Sequence, residues 1–169
     1  MNTLKNIQYE IKRRILIEGL ERIKTCLNLV SYNQIWWKPN DNSNAIGNLI
    51  LHLNGNVRQW LITTLNEDKD TRQRELEFLP NRQFTKRELL SIVNTLALDL
   101  EEVIPKISLE KLEKVYNVQG YKETLLSIIF HVIEHFSYHV GQITYITKMI
   151  LDIDTRYYKG QNLGNKNDN

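Results

Sequence analysis

The chain has 169 residues, of which 22 are Lys or Arg and 20 are Asp or Glu, so its formal net charge is only +2. This near balance argues against a strongly basic nucleic-acid-binding surface. The length fits one domain with a sizeable core. The single cysteine, Cys26, excludes an internal disulfide, and its place on an amphipathic pattern favours a buried structural residue over a nucleophile.

No segment has the pattern of an export signal or a membrane span. The residues after Met1 are polar and charged, unlike the apolar core of a signal peptide. The longest apolar run, near residues 125–133, is interrupted by His131 and is too short to cross a bilayer. We therefore expect a cytoplasmic protein that binds neither membranes nor nucleic acid.

Two long helices are predicted in the first part of the chain, from apolar residues that recur every three or four positions. The first covers about residues 3–30. The Asn-rich stretch 31–44, with Pro39, is a connection. The second helix begins near Ser43 or Asn44, because either side chain can cap it.

A highly charged loop, residues 66–84, separates the second helix from the third. Loops of this length in compact domains are often functional, so this one is a candidate cover for a site. The third helix opens with a capping box that pairs Thr85 with Glu88. It stops before Pro105, because the residue before a proline disfavours helical backbone.

The last part of the chain predicts a short helical piece, a turn at Gly120, and a fourth helix from near Thr124 to about Asp152. Residues 161–169 are expected to form a disordered tail. The prediction is thus an all-α fold with little or no sheet. We expect one domain over residues 1–160, built as an antiparallel four-helix bundle.

The four histidines are the clearest sign of chemistry. His131, His135 and His139 follow one another at steps of four on the fourth helix, and His52 lies on the second helix. An i, i+4 step places two imidazoles on one side of a helix, where they can share a metal ion. At about 100° per residue, His52, His135 and His139 lie at the rim of the apolar stripes. His131 is turned further out and is not expected to be a ligand.

Three neutral nitrogens suit zinc, nickel, cobalt or iron(II). The rim carries no Asp or Glu on either helix, which argues against an iron site made of two histidines and a carboxylate. Glu134 points about 100° away from His135 and is a poor candidate for a general base. The alternative is that the histidines are purely structural.

Three amides on the same rims are candidates for orienting a substrate: Asn56, Gln59 and Gln142. The outer side of the fourth helix also carries apolar residues, namely Phe130, Tyr138, Tyr145 and Met149. A helix that is apolar nearly all round is buried on both sides. We expect a homodimer with this helix near the interface; the alternative is contact with the segment 105–121.

One set of residues also matches a known pattern: Trp36, Trp37, Lys38, Pro39, Ser43, Ile46, His52, His135, Tyr138, His139, Gly141, Gln142 and Ile143. This set resembles the DinB-like metal-binding four-helix bundles, and most of all a bacterial branch known as DUF1572, a domain of unknown function. The resemblance covers roughly residues 5–163. Its most specific stretches are IGNLILHLNGNVRQW and EHFSYHVGQI.

The resemblance implies a bundle that holds one divalent metal, zinc or nickel, through His52, His135 and His139. Relatives in the superfamily include S-transferases that use bacillithiol and a mycothiol-dependent maleylpyruvate isomerase, while others are induced by DNA damage. Many relatives have Asn where this chain has Glu134, and no thiol-cofactor motif is recognisable. The metal site carries over, whereas the reaction does not.

Two functions therefore remain open. The first is a metal-dependent enzyme, a thiol transferase or hydrolase acting on a small molecule, in which the metal activates a thiol or water. The second is a non-catalytic, stress-associated dimer whose metal tightens the bundle. An acid or base beside the metal would favour the enzyme, and the sequence shows no obvious one.

Overall fold

The computed structural model describes residues 3–79 and 84–164 of the chain. Four long helices dominate them, as the apolar periodicity predicts. The first covers residues 3–29 as Thr3–Ile11, the π-helical Lys12–Leu20 and Glu21–Leu29; the second covers residues 46–66 as Ile46–Val57, the π-helical Arg58–Ile62 and Thr63–Asn66; the third is Lys86–Val103 and the fourth is Leu125–Leu151.

The shorter elements lie in the connections. They are a helix at Tyr32–Ile35, a 3-10 turn at Arg74–Glu77, a second one at Ile104–Lys106, a helix at Leu109–Glu113 and the strands β1, Val115–Val118, and β2, Tyr121–Thr124. The 3-10 turn at Arg74–Glu77 falls inside the predicted charged loop and carries a residue of the site described below.

The long helices pack around one apolar core. The first contacts the third and fourth, and the second likewise contacts the third and fourth. Phe136 and Val132 of the fourth helix are almost fully buried in this core, as are Leu53 and Val57 of the second. The centres of the predicted apolar stripes therefore face inward, which leaves the histidines at the rim between the second and fourth helices.

The predicted N-terminal cap of the third helix is confirmed, whereas the predicted caps of the second helix are wrong. The Thr85 side chain accepts a hydrogen bond from the Glu88 backbone N–H, and the Glu88 carboxylate accepts one from the Thr85 N–H, as a capping box requires. Neither Ser43 nor Asn44 caps the second helix. It begins at Ile46, with Ala45 in the N-cap position, and the Ala45 N–H donates to Asn48 Oδ1.

The two-stranded sheet was not predicted from the sequence. β1 and β2 pair as an antiparallel hairpin in which Val118 faces Tyr121. The two residues between them, Gln119 and Gly120, both have positive φ, 52° and 85°. Two-residue hairpin loops favour this conformation because its twist matches that of the strands. The predicted turn at Gly120 is confirmed, and the fold is mainly helical with one small sheet.

Two further predictions concern the end of the chain and the membrane. Residues 161–164 contain no helix or strand. The predicted disorder of 165–169 lies outside the described residues. Within residues 3–79 and 84–164, no helix combines the length and apolar character needed to cross a membrane.

Candidate metal centre

The structure brings His52, His135 and His139 together at the rim between the second and fourth long helices. One ring nitrogen from each lies within 4.8 Å of the other two. His135 Nε2 is 3.1 Å from His52 Nε2 and 3.2 Å from His139 Nε2. Two nitrogens bound to one tetrahedral zinc at about 2.0–2.1 Å are about 3.3 Å apart. The spacing around His135 therefore suits a single metal ion.

His52 is held by a carboxylate from the charged loop. Its Nδ1 lies 2.8 Å from Glu77 Oε2, and the two side chains are 8% and 9% exposed. Because an ionised carboxylate can only accept, the Nδ1–H of His52 donates to it, and the Nε2 faces the other two imidazoles. Burial acts to raise the pKa of Glu77, but the hydrogen bonds from His52 and Arg72 and the charge of Arg72 lower it overall. Glu77 is therefore ionised near neutral pH.

Arg72 supports this carboxylate from the other side. Its Nε lies 2.7 Å from Glu77 Oε1 and its Nη2 lies 2.8 Å from Oε2, a two-point pairing that fixes the plane of the carboxylate. The Arg72 side chain is only 6% exposed. Its Nη1 donates to Gln59 Oε1 at 2.8 Å, and Gln59 Nε2 donates to Asp70 at 2.6 Å. The second helix and the loop are thus joined beside His52.

Gly55 provides the space for this pair. A Cβ added there would lie 2.1 Å from Glu77 Oε1 and 2.8 Å from Arg72 Nε, well inside van der Waals contact. Glycine is therefore the only residue whose side chain leaves the Glu77–Arg72 pair undisturbed at this point of the helix.

His139 has an orienting partner of its own. Its Nδ1 lies 2.7 Å from Gln142 Oε1, one helical turn further on. The Nδ1–H donates to the amide oxygen, so the Nε2 of His139 also faces His135 as a lone pair. Burial is the main cause that lowers the pKa of His139, with a smaller contribution from His52.

His135 occupies the middle of the cluster. Burial, together with the charges of the neighbouring histidines and Arg72, lowers its pKa to about 3, so the ring is neutral near pH 7. Its Nδ1 is buried and has no hydrogen-bond partner among the described residues. With Nδ1–H tautomers at His52 and His139, one neutral imidazole can supply only one N–H to two facing lone pairs. A divalent cation would satisfy all three Nε2 atoms, so these residues fit a metal ion.

His131 lies outside this cluster, as the helical wheel predicts. Its ring packs against Trp60 with centroids 4.2 Å apart and stacks on His135 at 5.5 Å. Its Nε2 is 3.5 Å from Asn56 Nδ2, a long contact. Burial lowers the pKa of His131, which keeps the ring neutral. It forms an aromatic wall beside the site.

The predicted substrate-orienting amides have different environments. Gln142 orients His139, and both ends of the Gln59 amide are engaged by Arg72 and Asp70. Asn56 is buried, and its Oδ1 lacks a partner within the described part of the chain. Asn56 is therefore the one predicted amide with an acceptor to spare.

Glu77 and Arg72 were not predicted from the sequence as site residues. The only signals were the charge density of the loop and its length, and neither indicates which carboxylate folds back onto His52. Glu134, the carboxylate weighed above as a general base, is exposed on the fourth helix.

Comparison with known proteins agrees with the resemblance. Residues 8–158 match the family described as "Protein of unknown function (DUF1572)". Among solved structures, the chain is similar to one described as "Crystal structure of the conserved protein of locus from Enterococcus faecalis". The identity is 14%, the TM-score is 0.70, and the match covers 90% of this chain and 99% of that one. At that identity the likeness shows the fold alone.

No curated protein matches the chain. The family match, in contrast, spans most of its length and includes all three clustered histidines. The protein therefore belongs to the DUF1572 family, whose function is unknown.

Proposed function

We propose that this protein binds one divalent metal ion, zinc or nickel, through the Nε2 atoms of His52, His135 and His139, and that it is a metal-dependent thiol transferase or hydrolase. The observation that carries the proposal is the convergence of three imidazoles, two of which have their Nδ1 atoms oriented, His52 by Glu77 and His139 by Gln142. Such an arrangement is typical of metal-binding histidines, which donate their other ring N–H to a carboxylate or carbonyl.

A metal held by three protein nitrogens keeps a position for water or substrate and lowers the pKa of a thiol or water that binds there. The residues of the chain would bind the metal and orient the substrate beside it. Phe78, with its ring 5.2 Å from that of His52, covers the site on the loop side. On the other side lies Asn56, whose buried Oδ1 has no partner among the described residues; it is the amide proposed to orient a small-molecule substrate.

The second candidate is a non-catalytic, stress-associated metal-binding dimer. One observation favours it: Glu77, the carboxylate in contact with the cluster, is held by Arg72 and His52 and is not free to move a proton. An inert site would tighten the helices through the metal alone, because metal binding adds to the free energy of folding.

The homodimer is part of both proposals. The outer side of the fourth helix exposes Phe130, Tyr138 and Tyr145, at 65%, 62% and 70%. Three large aromatic side chains on one helix form an apolar surface that a second copy of the chain would cover. Light scattering is expected to give about twice the 20.0 kDa of one chain. A single-chain mass at micromolar concentration would contradict the dimer.

The finer description of the fold is also a proposal. The pairwise contacts of the four long helices support an antiparallel four-helix bundle of the DinB-like type, with residues 1–160 as one domain. The protein is proposed to act in the cytoplasm, where its single cysteine, Cys26, would stay reduced.

The test of function has two stages. Protein purified without added metal is analysed by mass spectrometry and is expected to carry zinc or nickel. The metal-loaded and chelator-treated forms are then screened for thiol transfer and for hydrolysis. Activity that requires the metal supports the enzyme, whereas a loaded but inactive protein favours the non-catalytic alternative. A protein that neither contains nor takes up a divalent metal would overturn both.

A further inference from the structure

We infer that Glu77 is a positioning residue for metal binding: it fixes the tautomer of His52 and couples the metal site to the docking of the segment 67–79 on the second long helix. This inference rests on the proposed metal-binding function and extends it to residues outside the three histidines.

The tautomer of His52 is decided by two competing neighbours. Nδ1 lies 2.8 Å from Glu77 Oε2 and 3.1 Å from Arg72 Nη2. A donor at Nδ1 would serve the carboxylate and free Nε2 for a metal, whereas an acceptor at Nδ1 would serve the guanidinium and place the proton on Nε2. The carboxylate is closer, and Arg72 Nη2 already donates to Glu77 Oε2 at 2.8 Å. The Nδ1–H form therefore prevails because of Glu77.

Glu77 can fix the tautomer of His52 because several hydrogen bonds hold its own backbone and side chain in place. Arg72 holds both carboxylate oxygens, and the Glu77 carbonyl accepts a hydrogen bond from Asn48 Nδ2 at 3.0 Å. Gly55 leaves the space into which the carboxylate fits. The backbone and side chain of Glu77 are thus both anchored to the helix that carries His52.

The same contacts dock the segment 67–79. Asp70 and Arg72 bind the two ends of the Gln59 amide, and the Phe78 ring packs on His52. Docking of the segment therefore prepares His52 for metal. Because coupling between binding events is reciprocal, a bound metal must also favour the docked segment.

The first measurement is zinc affinity by chelator competition. Glu77→Gln is expected to weaken binding 10- to 100-fold, the usual effect of losing an outer-sphere partner of a ligand. Arg72 draws the amide oxygen of the new glutamine, which turns its NH₂ toward His52 Nδ1 and favours the wrong tautomer. Glu75→Gln is the matched control, because Glu75 lies on the same 3-10 turn but is exposed. It should bind zinc as the unaltered protein does.

The second measurement needs no metal. Nitrogen-15 spectra of the metal-free protein, labelled on histidine, should show the Nδ1–H tautomer for His52 and its loss in Glu77→Gln. Glu77→Asp guards against a folding defect, because it keeps a carboxylate for Arg72 but is too short to reach both partners. It should fold and still bind zinc more weakly than Glu75→Gln.

The third measurement is trypsin digestion at the segment, which carries the exposed Lys69 and Arg74. Zinc should slow cleavage there in the unaltered protein and protect Glu77→Gln less. If both Glu77 variants bind zinc as tightly as Glu75→Gln, with unchanged His52 spectra, the inference is wrong while the metal site stands. If the unaltered protein binds no zinc or nickel, the proposed function fails and the coupling fails with it.

Discussion

On one side of the histidine cluster, the segment 67–79 meets the second long helix through short charged hydrogen bonds, centred on Glu77 and Arg72. On the other side, the same helix meets the start of the fourth through packed aromatic rings and a longer polar contact. There Trp60 packs on His131, and Asn56 reaches His131 only at 3.5 Å. The first side pairs its charged groups, while the second leaves buried polar atoms of Asn56 and His135 without partners among the described residues.

This difference in polar contacts suggests a different role for each side of the cluster. Paired, buried charges hold a side chain in one geometry, because any shift leaves a charge uncompensated. Ring contacts and unpaired acceptors restrict side-chain geometry less. They also leave hydrogen-bonding capacity for a ligand. The loop side therefore fixes the geometry of His52, on which the proposed metal site rests, and the side with Asn56 keeps the unpaired acceptor on which the proposed substrate contact rests.

Among changes that leave the three clustered histidines in place, the largest effect is expected from a single methyl group on the loop side. Gly55→Ala places a Cβ 2.1 Å from Glu77 Oε1 and so displaces the carboxylate from His52. We expect zinc affinity to fall 10- to 100-fold and the free energy of unfolding to fall by about 1–3 kcal/mol, as for overpacking in a filled core. Chelator competition and urea denaturation measure the two effects.

Gly141→Ala is the matched control for that variant. Gly141 also lies within a helix, but a Cβ there would meet nothing within 4 Å in the described structure. Helix propensity alone should then raise stability by about 0.5–1 kcal/mol. If Gly55→Ala is stabilising in the same way, the tight packing described for the loop side is wrong.

Acid is expected to lower the free energy of unfolding of the metal-free protein, because folding keeps His135, the central histidine of the cluster, neutral. The pKa of His135 is lowered to about 3 in the folded state, from about 6.5 in the unfolded chain. The unfolded chain therefore binds more protons between these values. The free energy of unfolding that this pKa difference contributes is fully present above pH 6.5 and is lost as pH falls toward 3.

This loss can be isolated by comparing urea denaturation of the metal-free protein with that of His135→Gln at several pH values from 7 to 4. The unaltered protein should lose up to about 1.4 kcal/mol more per pH unit below 6.5, the limit for one proton. Equal slopes between pH 6.5 and 5 would show that His135 is not held neutral by burial.

A smaller effect is expected at the aromatic wall. His131→Ala removes the ring that packs on Trp60 and should cost about 1 kcal/mol of unfolding free energy, as for other aromatic pairs. Zinc affinity should change less than threefold, because His131 is not one of the converging nitrogens. Calorimetry and chelator competition report the two quantities, and a large loss of metal affinity would place His131 in the metal centre.

The smallest effect is expected from Asn56→Leu, next to Gly55. Replacing a buried amide that has an unpaired acceptor by an apolar group of similar shape is often nearly neutral. Stability should change by less than about 1 kcal/mol, and zinc affinity should stay within threefold. A marked loss of zinc affinity would contradict the contrast between the two sides and make Asn56 a positioning residue for His135.

Much of this organisation could be predicted from the sequence. Apolar periodicity gave the four long helices, and the spacing of His135 and His139 with the rim position of His52 predicted which three nitrogens come together. These features are local to one helix or follow from its inward face. Whether the cluster holds a metal stays a prediction.

The rest depended on contacts without a local period. Glu77 lies 25 residues from His52 and reaches it only because Gly55 and Arg72 make a place for it. No helical wheel includes a loop residue, so the orienting carboxylate was missed. The hairpin was missed for another reason: its strands have only four residues each, too few for a clear alternating pattern, and Gly120 was interpreted as a simple turn.

The most direct test of the account is the metal-to-protein ratio of three purified proteins: the unaltered chain, His131→Ala and His139→Ala. After saturation with zinc and removal of the excess, mass spectrometry should find a ratio near one for the first two, since neither lacks a ligand. His139→Ala should have a ratio near zero while its circular dichroism stays helical. Full metal content in His139→Ala, or loss of metal from a folded His131→Ala, would contradict the assignment of the three ligands.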